Sequence, residues 1–517
     1  MPPASGQGSF CALIDTGDFK IKPLKSNQPE ASVRRDPFAA LAVAYLVLPS
    51  LIFLLTWVRP WIGIPAASVV VLTFMLFLRQ GQAGEPRLRL STGNWIYVLA
   101  LAFLWALLAG IGGFTPQASD YEKHNLAFHD LIQQSWPVYY VGGAQTSYLC
   151  YGVGYYLTPA FVARAIGATS LPALTFLWGF MGVALFFYWV ATFSRSPQKT
   201  LAIVLLFATT ETLWHVFLHL LHTPPFADAG KPITDSLVRL GVGSDYSDTW
   251  MSLQYRPQHV ISAWLGAALF YDMFWVRRNP RGAGFVWAAC WLWSPLMCLG
   301  LLLVPLAALK HWRWREALEP VNFGGGILLA VLAVYFQGHV PLTEHGPIWK
   351  FSSGLNWLVL YPIFLLLQLS PVFFIYQADR KYHLLGELRP LFLGSFLVLL
   401  LLPLYKIGYY GDLRLQAATP ALLFVGLAAS RVFQSPGFSL KRPVFILLIA
   451  SQMVGAAYPF AKWWRDNLGG ERVDYSYAAT NQRYGYQNLS DFKRYGYDYA
   501  AQYLGRTNSL AAQWLLR

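Results

Sequence analysis

The chain has 517 residues, of which 56% are hydrophobic and only 12% are charged. A soluble protein carries about twice that share of charged residues, so the composition excludes an ordinary soluble domain and indicates a polytopic membrane protein. The net charge of +14 is high enough for a nucleic-acid-binding protein, but the Lys and Arg residues lie in short loops between apolar segments, as topology signals do. We therefore predict no nucleic-acid partner.

The apolar segments predict an all-α membrane domain over residues 38–460, with about eleven transmembrane helices of roughly 20 residues each. Residues 1–37 are polar and basic without a cleavable signal sequence, and we expect them to be cytoplasmic. The predicted crossings lie near 38–58, 61–79, 93–113, 170–193, 200–221, 258–276, 323–337, 357–377, 389–404, 418–433 and 443–460.

Two apolar segments do not fit a simple crossing. Residues 284–309 are interrupted at Trp293-Ser-Pro and have basic residues at both ends, which predicts a re-entrant hairpin with both ends in the cytoplasm. Residues 147–167 are aromatic but contain Gly and Pro, and we interpret them as a helix lying at, or dipping into, the external interface.

This topology places four polar loops outside, at about 114–168, 222–257, 338–356 and 405–417. The C-terminal tail, 461–517, is expected outside as well, although its slightly basic composition fits that side less well, and one miscounted crossing would move it inside. We find no period of 20 to 50 residues and no linker between soluble domains, which predicts one integral domain with loop helices.

The external loops combine carboxylates with Lys, Arg and His. Any one of these residues is explained equally well by the general polarity of loops. The mixture is more informative, because a carboxylate base beside cations that hold a phosphate suits an enzyme that joins an acceptor to a lipid-phosphate-activated donor.

Over about residues 93 to 460 the chain resembles the GT-C superfamily of integral-membrane glycosyltransferases, which includes aminoarabinose and protein-mannose transferases. The resemblance rests on Ser119-Asp120-Tyr121 in the first large external loop, on Thr158-Pro159 in the aromatic interfacial helix and on the broken Trp-Ser-Pro hairpin. Two crossings precede the usual first one. The tail lacks the large soluble domain and the Trp-Trp-Asp-Tyr-Gly motif of oligosaccharyltransferases, since residues 463–466 are Trp-Trp-Arg-Asp.

The resemblance implies a polyprenyl-phosphate sugar as donor and an acidic residue of the first external loop as base. Asp120 is the matching position, with Glu122 as second choice. Asp245 or Asp248 would match a second acidic position in a later loop. Independently of the family, a sugar hydroxyl is a poor nucleophile near neutral pH, so a carboxylate within hydrogen-bonding distance assists its attack.

The departing lipid phosphate needs nearby cations. Arg256 and Arg414 rank first, because Arg can bind phosphate through two parallel hydrogen bonds. Each could equally be an interfacial anchor. The further candidates for phosphate binding are His259, Lys406 and Lys350.

A second pattern lies in the segment 200–221. Glu211, His215 and His219 recur every four residues and so share one helix face, where they could bind a metal or simply line a polar cavity. A di-iron site would need further His clusters, which the sequence lacks. No cofactor is required by the predicted chemistry, and a divalent cation is left open.

The sequence contains neither a Gly-x-Ser-x-Gly elbow nor a Gly-x4-Gly-Lys-Ser/Thr loop, which argues against a serine hydrolase and a P-loop enzyme. The leading hypothesis is an inverting glycosyltransferase that acts on a lipid-linked or envelope glycan acceptor at the periplasmic face of a bacterial inner membrane. The alternatives are a flippase of lipid-linked sugars, for which internal symmetry would be expected, and a non-catalytic subunit of an envelope-assembly complex.

Overall fold

The computed structural model describes most of the chain, and within that part the protein is mostly helical. The described residues are 36–80, 89–141, 146–207, 249–310, 314–341, 344–352, 356–435, 473–493 and 499–517, with single residues and short runs between 217 and 246 and at 450 and 453. The predicted cytoplasmic segment 1–37 and the predicted crossing 443–460 therefore lie almost entirely outside the described residues.

The helices follow the apolar segments in chain order. They are α1 (Pro37–Thr56), α2 (Pro60–Arg79), α3 (Thr92–Leu108), α4 (Tyr121–Gln133), α5 (Gly154–Ile166), α6 (Leu171–Thr192), α7 (Pro197–Phe207), α8 (Thr249–Tyr255), α9 (Pro257–Tyr271), α10 (Ala283–Trp291), α11 (Pro295–Leu301), α12 (Leu303–Ala307), α13 (Trp314–Ala317), α14 (Pro320–Gln337), α15 (Asn356–Tyr382), α16 (Arg389–Leu401), α17 (Asp412–Phe433) and α18 (Tyr477–Tyr484).

Among the described residues, eight helices are long and apolar enough to cross a membrane. They are α1, α2, α6, α9, α14, α15, α16 and α17. With their flanking turns, α6, α9 and α16 span Ala168–Thr192, Pro257–Val276 and Gly386–Leu404, while α15 is counted from Trp357. Helices α3 and α7 and the stretch Pro295–Ala307 are apolar but shorter. The structure thus supports a helical membrane protein, and the count of eleven crossings stays a prediction.

The centre of the bundle is formed by α6, α9 and α17. Most residues of α9 and α17 are buried inside the protein, whereas only about a third of the residues of α2, α15 and α16 are buried. Helix α6 packs against α3, α5, α7 and α9. Residues at the ends of α9 and α17 therefore have fixed surroundings, which matters for the site described below.

One end of the bundle is held by a buried ion network. Asp36 caps α1 by accepting hydrogen bonds from the backbone N–H groups of Phe38 (2.9 Å) and Ala39 (3.2 Å). Arg277, just after α9, joins Asp36 to Asp272, whose carboxylate is 2.7 Å away. This network places the start of α1 and the end of α9 at the same side.

The apolar run predicted as a hairpin, 284–309, is interrupted at Trp293, between α10 and α11. The Trp293 indole N–H donates a 3.0 Å hydrogen bond to the carbonyl of Leu46, near the middle of α1. Arg281 precedes the run and Glu319 follows it, and the two side chains lie 3.3 Å apart. The two ends of the segment are therefore neighbours, while its break lies at the depth of the centre of α1.

The segment leading into α5 passes tightly over Trp293. A Cβ atom on Gly152 would lie 2.0 Å from the Trp293 carbonyl oxygen, and one on Gly154 would lie 2.9 Å from the indole ring. Only glycine fits at such distances, so these residues let the chain reach the interior of the bundle. The helix itself spans 154–166, shorter than the predicted 147–167, because the first part of that segment forms a strand.

Two small antiparallel sheets lie in the loops, a feature that the all-α prediction missed. The strands are β1 (Tyr139–Tyr140), β2 (Ser147–Leu149), β3 (His345–Pro347), β4 (Tyr405–Ile407) and β5 (Leu504–Arg506). One sheet has the order β1-β2-β5, with Tyr148 opposite Gly505, and the other pairs β3 with β4, with Gly346 opposite Lys406. The first sheet joins the C-terminal segment, residues 473–517, to the loop 114–168.

Asp130 on α4 strengthens this junction. Its fully buried carboxylate accepts hydrogen bonds from the Tyr140 hydroxyl and from the backbone N–H of Leu489, both at 2.9 Å. The neighbouring His129 ring stacks on Tyr477, with ring centres 3.4 Å apart. The described C-terminal segment therefore lies on the same side of the bundle as α4.

Candidate functional site

Charged side chains from α4, from the start of α9 and from the start of α17 meet at one end of the bundle. Lys123 and Arg256 lie within electrostatic range of both His259 and Asp412. Asp412 also interacts with Asp120 and with Arg414. We call these six residues the polar cluster: Asp120, Lys123, Arg256, His259, Asp412 and Arg414. The structure thus brings together four of the predicted site residues.

Asp120 and Lys123 form an ion pair within the first turn of α4. Their carboxylate oxygen and ammonium nitrogen are 2.6 Å apart, and the side chains are 18% and 13% exposed. A charge-assisted hydrogen bond of this length fixes the orientation of the carboxylate. Glu122 lies two positions along the helix and so on nearly the opposite face. It faces Arg483 of the C-terminal segment at 3.7 Å.

Asp412 is a member of the cluster that the sequence did not single out. It is the first residue of α17, after Gly411, whose φ of +77° is the left-handed conformation that glycine favours. A Cβ atom on Gly408 (φ +75°) would lie 1.9 Å from a carboxylate oxygen of Asp412, so that space must stay empty. The start of α17 also favours a negative charge, because the helix dipole is positive there.

Arg256 and His259 occupy the first turn of α9, which begins at Pro257. The Arg256 guanidinium donates to the Ser252 hydroxyl at 3.4 Å. His259 is 4% exposed, and its Nε2 forms a short hydrogen bond with the Tyr151 hydroxyl. The turn thus presents one cation and one oriented imidazole to the same space.

Arg414 is completely buried, two residues into α17. Its guanidinium carbon lies 5.4 Å from the ring centres of both Tyr246 and Phe364, and one of its N–H groups donates to the Tyr410 carbonyl at 3.3 Å. Aromatic faces stabilise a guanidinium group while leaving part of its edge for further hydrogen bonds. The arrangement suits a fixed, desolvated cation.

The two predicted lysines have other surroundings. The Lys406 ammonium pairs with Glu344 at 2.6 Å and donates to the Arg239 carbonyl at 2.9 Å, so a carboxylate already neutralises its charge. Lys350 is exposed on the turn after β3. The structure therefore places neither lysine beside Asp120, and their predicted role in phosphate binding has less support than that of the two arginines.

His124 lies behind the Asp120–Lys123 pair. Burial, followed by the nearby Lys123 ammonium, lowers the pKa of this histidine to about 3. The imidazole is therefore neutral, with its proton on Nε2 donated to the Tyr255 carbonyl at 3.1 Å, while Nδ1 accepts from the Tyr156 hydroxyl at 2.7 Å. His124 thus links α4 to the start of α5 and to the end of α8.

An apolar groove of about 530 Å³ is formed by α1, α3, α5 and α6. It runs from Thr158 and Pro159 on α5 to Phe38, Trp95 and Tyr188 at the other end of the bundle. Its Thr158 end lies two residues beyond Tyr156, which contacts His124. Helix α5 therefore connects the groove with the surroundings of the polar cluster.

Some predicted residues cannot be placed. Asp245, Asp248, Glu211 and His215 lie outside the described residues, while His219 lies within them. Within the part of the chain that the structure describes, no three His, Cys, Asp or Glu side chains are grouped as a metal site would require. The metal site and the second acidic position at Asp245 or Asp248 stay predictions.

Comparisons with known proteins give no relative. The chain matches no known protein family, no curated protein and no solved structure. The resemblance to glycosyltransferases therefore rests on the sequence pattern, and the function must be argued from the geometry of the site.

Proposed function

We propose that this protein is a membrane glycosyltransferase, which transfers a sugar from a polyprenyl-phosphate carrier to a lipid-linked or cell-envelope glycan. The proposal rests on one observation: α5 connects the polar cluster to the apolar groove. Tyr151, just before this helix, contacts His259 of the polar cluster, and Thr158, one turn into it, lines the apolar groove. A substrate with a charged head and a long apolar chain would match such a junction.

The charge of the polar cluster supports an anionic head group. Lys123, Arg256 and Arg414 give three formal positive charges, while Asp120 and Asp412 give two formal negative ones, so the formal net charge without His259 is +1 (3 − 2). A glycosyl phosphodiester carries one negative charge and would balance this excess. The guanidinium groups suit it best, because their N–H groups match the spacing of phosphate oxygens.

The shape of the groove supports a lipid chain. Along α6 its lining extends from Leu174 to Tyr188, which at 1.5 Å per residue is about 21 Å. Its lining is almost entirely apolar. An extended hydrocarbon chain fills such a space better than a compact ligand does, and its burial is favourable in proportion to its apolar area.

In the proposed reaction, the acceptor hydroxyl oxygen forms a bond to the anomeric carbon while the bond between that carbon and the phosphate oxygen breaks. The hydroxyl proton passes to the Asp120 carboxylate. The polyprenyl phosphate departs with the electron pair and is stabilised by Arg256 and Arg414. Attack opposite the leaving group inverts the configuration at the anomeric carbon.

The proposal includes the finer topology: about eleven crossings, a re-entrant hairpin, and a polar cluster that faces the periplasm of a bacterial inner membrane. The basic residues after α9 support this orientation, since positive loops remain in the cytoplasm. Arg277, Arg278 and Arg281 all follow that helix, whereas Arg256 and His259 of the cluster lie at its start.

The test is transfer of radiolabelled sugar from a panel of polyprenyl-phosphate sugars to extracted envelope lipids by the purified protein. We expect Asp120→Asn to lower kcat by at least about 100-fold, because the amide cannot accept the hydroxyl proton. The matched control is Glu387→Gln, which changes an exposed carboxylate paired with Arg278 at 2.8 Å and should keep wild-type turnover.

Full turnover by a folded Asp120→Asn variant would contradict the assignment of the base. Movement of intact lipid-linked sugar across vesicles without a covalent product would show a flippase instead. Complete inactivity of the wild type with every donor, together with tolerance of Asp120 substitution in cells, would favour a non-catalytic subunit.

A further inference from the structure

The backbone around Tyr503 is held by two segments, residues 147–150 and the turn at His339. Its carbonyl accepts a 2.8 Å hydrogen bond from the N–H of Cys150, and β5, which begins at the next residue, pairs with β2. The preceding residue, Gln502, has its carbonyl oxygen 2.7 Å from Nε2 of His339, just after α14. The C-terminal segment thus places Tyr503 through loops that are far apart in the sequence.

The side chain of Tyr503 is buried against Tyr151. The two rings meet edge to face with centres 4.6 Å apart, and Tyr503 is 3% exposed. Its hydroxyl accepts a 2.9 Å hydrogen bond from the Gln502 amide. Edge-to-face contacts are directional, so the Tyr503 ring restricts the orientation of the Tyr151 ring.

Tyr151 transmits that restriction to the polar cluster. Burial raises the pKa of its phenol well above the usual range, and the hydroxyl forms a short hydrogen bond with Nε2 of His259. This hydrogen bond determines which nitrogen of the His259 ring faces Tyr151. The orientation of the His259 ring therefore depends on the position of Tyr151.

We propose that Tyr503 is a positioning residue of the site: its ring keeps the Tyr151 hydroxyl on His259 and so orients an imidazole beside the phosphate of the donor. The phosphate comes from the proposed function, on which this part of the inference rests. The contacts from Tyr503 through Tyr151 to His259 do not depend on that function.

The first experiment is a double-mutant cycle in the transfer assay. We expect Tyr151→Phe and Tyr503→Ala each to lower kcat about tenfold, with the donor KM within about twofold of wild type. Both changes disturb the same contact to His259. The kcat of the double variant should therefore lie within about twofold of the kcat of either single variant. If the two tenfold losses instead multiply, so that the double variant loses about 100-fold in kcat, the two residues act independently and the inference is wrong.

Conservative substitution separates positioning from a role of the hydroxyl. Tyr503→Phe keeps the ring against Tyr151 and should keep kcat within about twofold of wild type. The matched control is Tyr484→Ala, which removes a 48% exposed tyrosine from the same C-terminal segment and should have no effect. A tenfold loss in Tyr503→Phe or in the control would contradict a role for the buried ring alone.

A readout independent of transfer keeps the two proposals separate. Modification of His259 by diethyl pyrocarbonate, followed by peptide mass spectrometry, should be slow in wild type and Tyr503→Phe but several-fold faster in Tyr503→Ala and Tyr151→Phe. Equal rates in all variants would overturn the inference even if the enzyme is active. If the wild type transfers no sugar, the proposed function fails, while these rates still decide the role of Tyr503.

Discussion

Two aspartates, Asp120 at the start of α4 and Asp130 near its end, have different surroundings that their residue type does not reveal. Asp120 is partly exposed and paired with Lys123. Asp130 is fully buried, with one oxygen used by Tyr140 and by the backbone of Leu489. The sequence placed both in the same external loop, but only the contacts show that Asp130 holds the C-terminal segment.

Asp412 illustrates what sequence reasoning missed at the residue scale. It lies close to Arg414, a predicted phosphate ligand, and a Gly-Asp pair before an apolar run is a recognisable helix start. That signal places the carboxylate at the beginning of α17. It does not reveal that Lys123 of α4 and Arg256 lie beside it, because such contacts depend on how the helices pack.

His124 predicts a pH dependence of stability. In the folded protein the pKa of its imidazole is lowered from 6.5 to about 3, so the unfolded state binds a proton that the folded state does not. This contribution to stability is complete above about pH 6.5 and is lost progressively as the pH falls toward 3. Between about pH 7.5 and about pH 5 the loss is about 2 kcal/mol.

The measurement is detergent-induced unfolding at both pH values, followed by tryptophan fluorescence, for wild type and His124→Gln. The variant cannot titrate at this position, so its free energy of unfolding should change less between the two values. Identical pH dependence in both proteins would show that His124 is protonated in the folded state or that other groups dominate.

At the scale of elements, long apolar helices were predictable and short strands were not. Helices such as α1 and α14 begin and end within three residues of the predicted 38–58 and 323–337, because a run of apolar residues carries its own signal. Strands β1, β2 and β5 have only two or three residues each. Runs this short give no clear strand pattern, and the pairing of β2 with β5 joins segments hundreds of residues apart, which local patterns do not encode.

The segment from Arg281 to Glu319 predicts a labelling pattern. In a variant without Cys11, single cysteines at Arg281 and Glu319 should react with a membrane-impermeant maleimide from the same side, since the two side chains are 3.3 Å apart. A cysteine at the exposed Tyr484 should react from the opposite side. Labelling of Tyr484→Cys from the same side as Arg281→Cys would contradict the proposed external position of the C-terminal segment.

At the scale of the whole molecule, the sequence predicted a helical membrane protein and an external tail, but not the union of that tail with the first loop. Hydropathy determines which segments enter the bilayer. It contains no information on which polar loops meet outside it. The sheet of β1, β2 and β5 and the contacts of Asp130 join them, so the first loop packs against residues that a hydropathy plot assigns to a separate region.

Removing the Asp130 carboxylate should release the C-terminal segment. Asp130→Ala leaves the buried Tyr140 hydroxyl and the Leu489 N–H without their acceptor, which costs about 1 to 3 kcal/mol per group. We expect faster tryptic cleavage after Arg483 and Lys493, with the transmembrane helices still protected. The matched control is Asp474→Asn, an exposed residue of the same segment, and equal cleavage in both variants would contradict this role.

The pairing of β2 with β5 also has a consequence for synthesis, because β2 cannot complete its sheet until β5 has been translated. Leu149 and its partner Leu504 are 355 positions apart, and a ribosome adding about 5 to 20 residues per second needs roughly 20 to 70 s to cover that distance. Throughout that interval the first loop has been synthesised but lacks its third strand and the Leu489 N–H group that donates to Asp130. In the nascent chain, this aromatic surface therefore stays exposed to aggregation with other proteins until β5 has been synthesised.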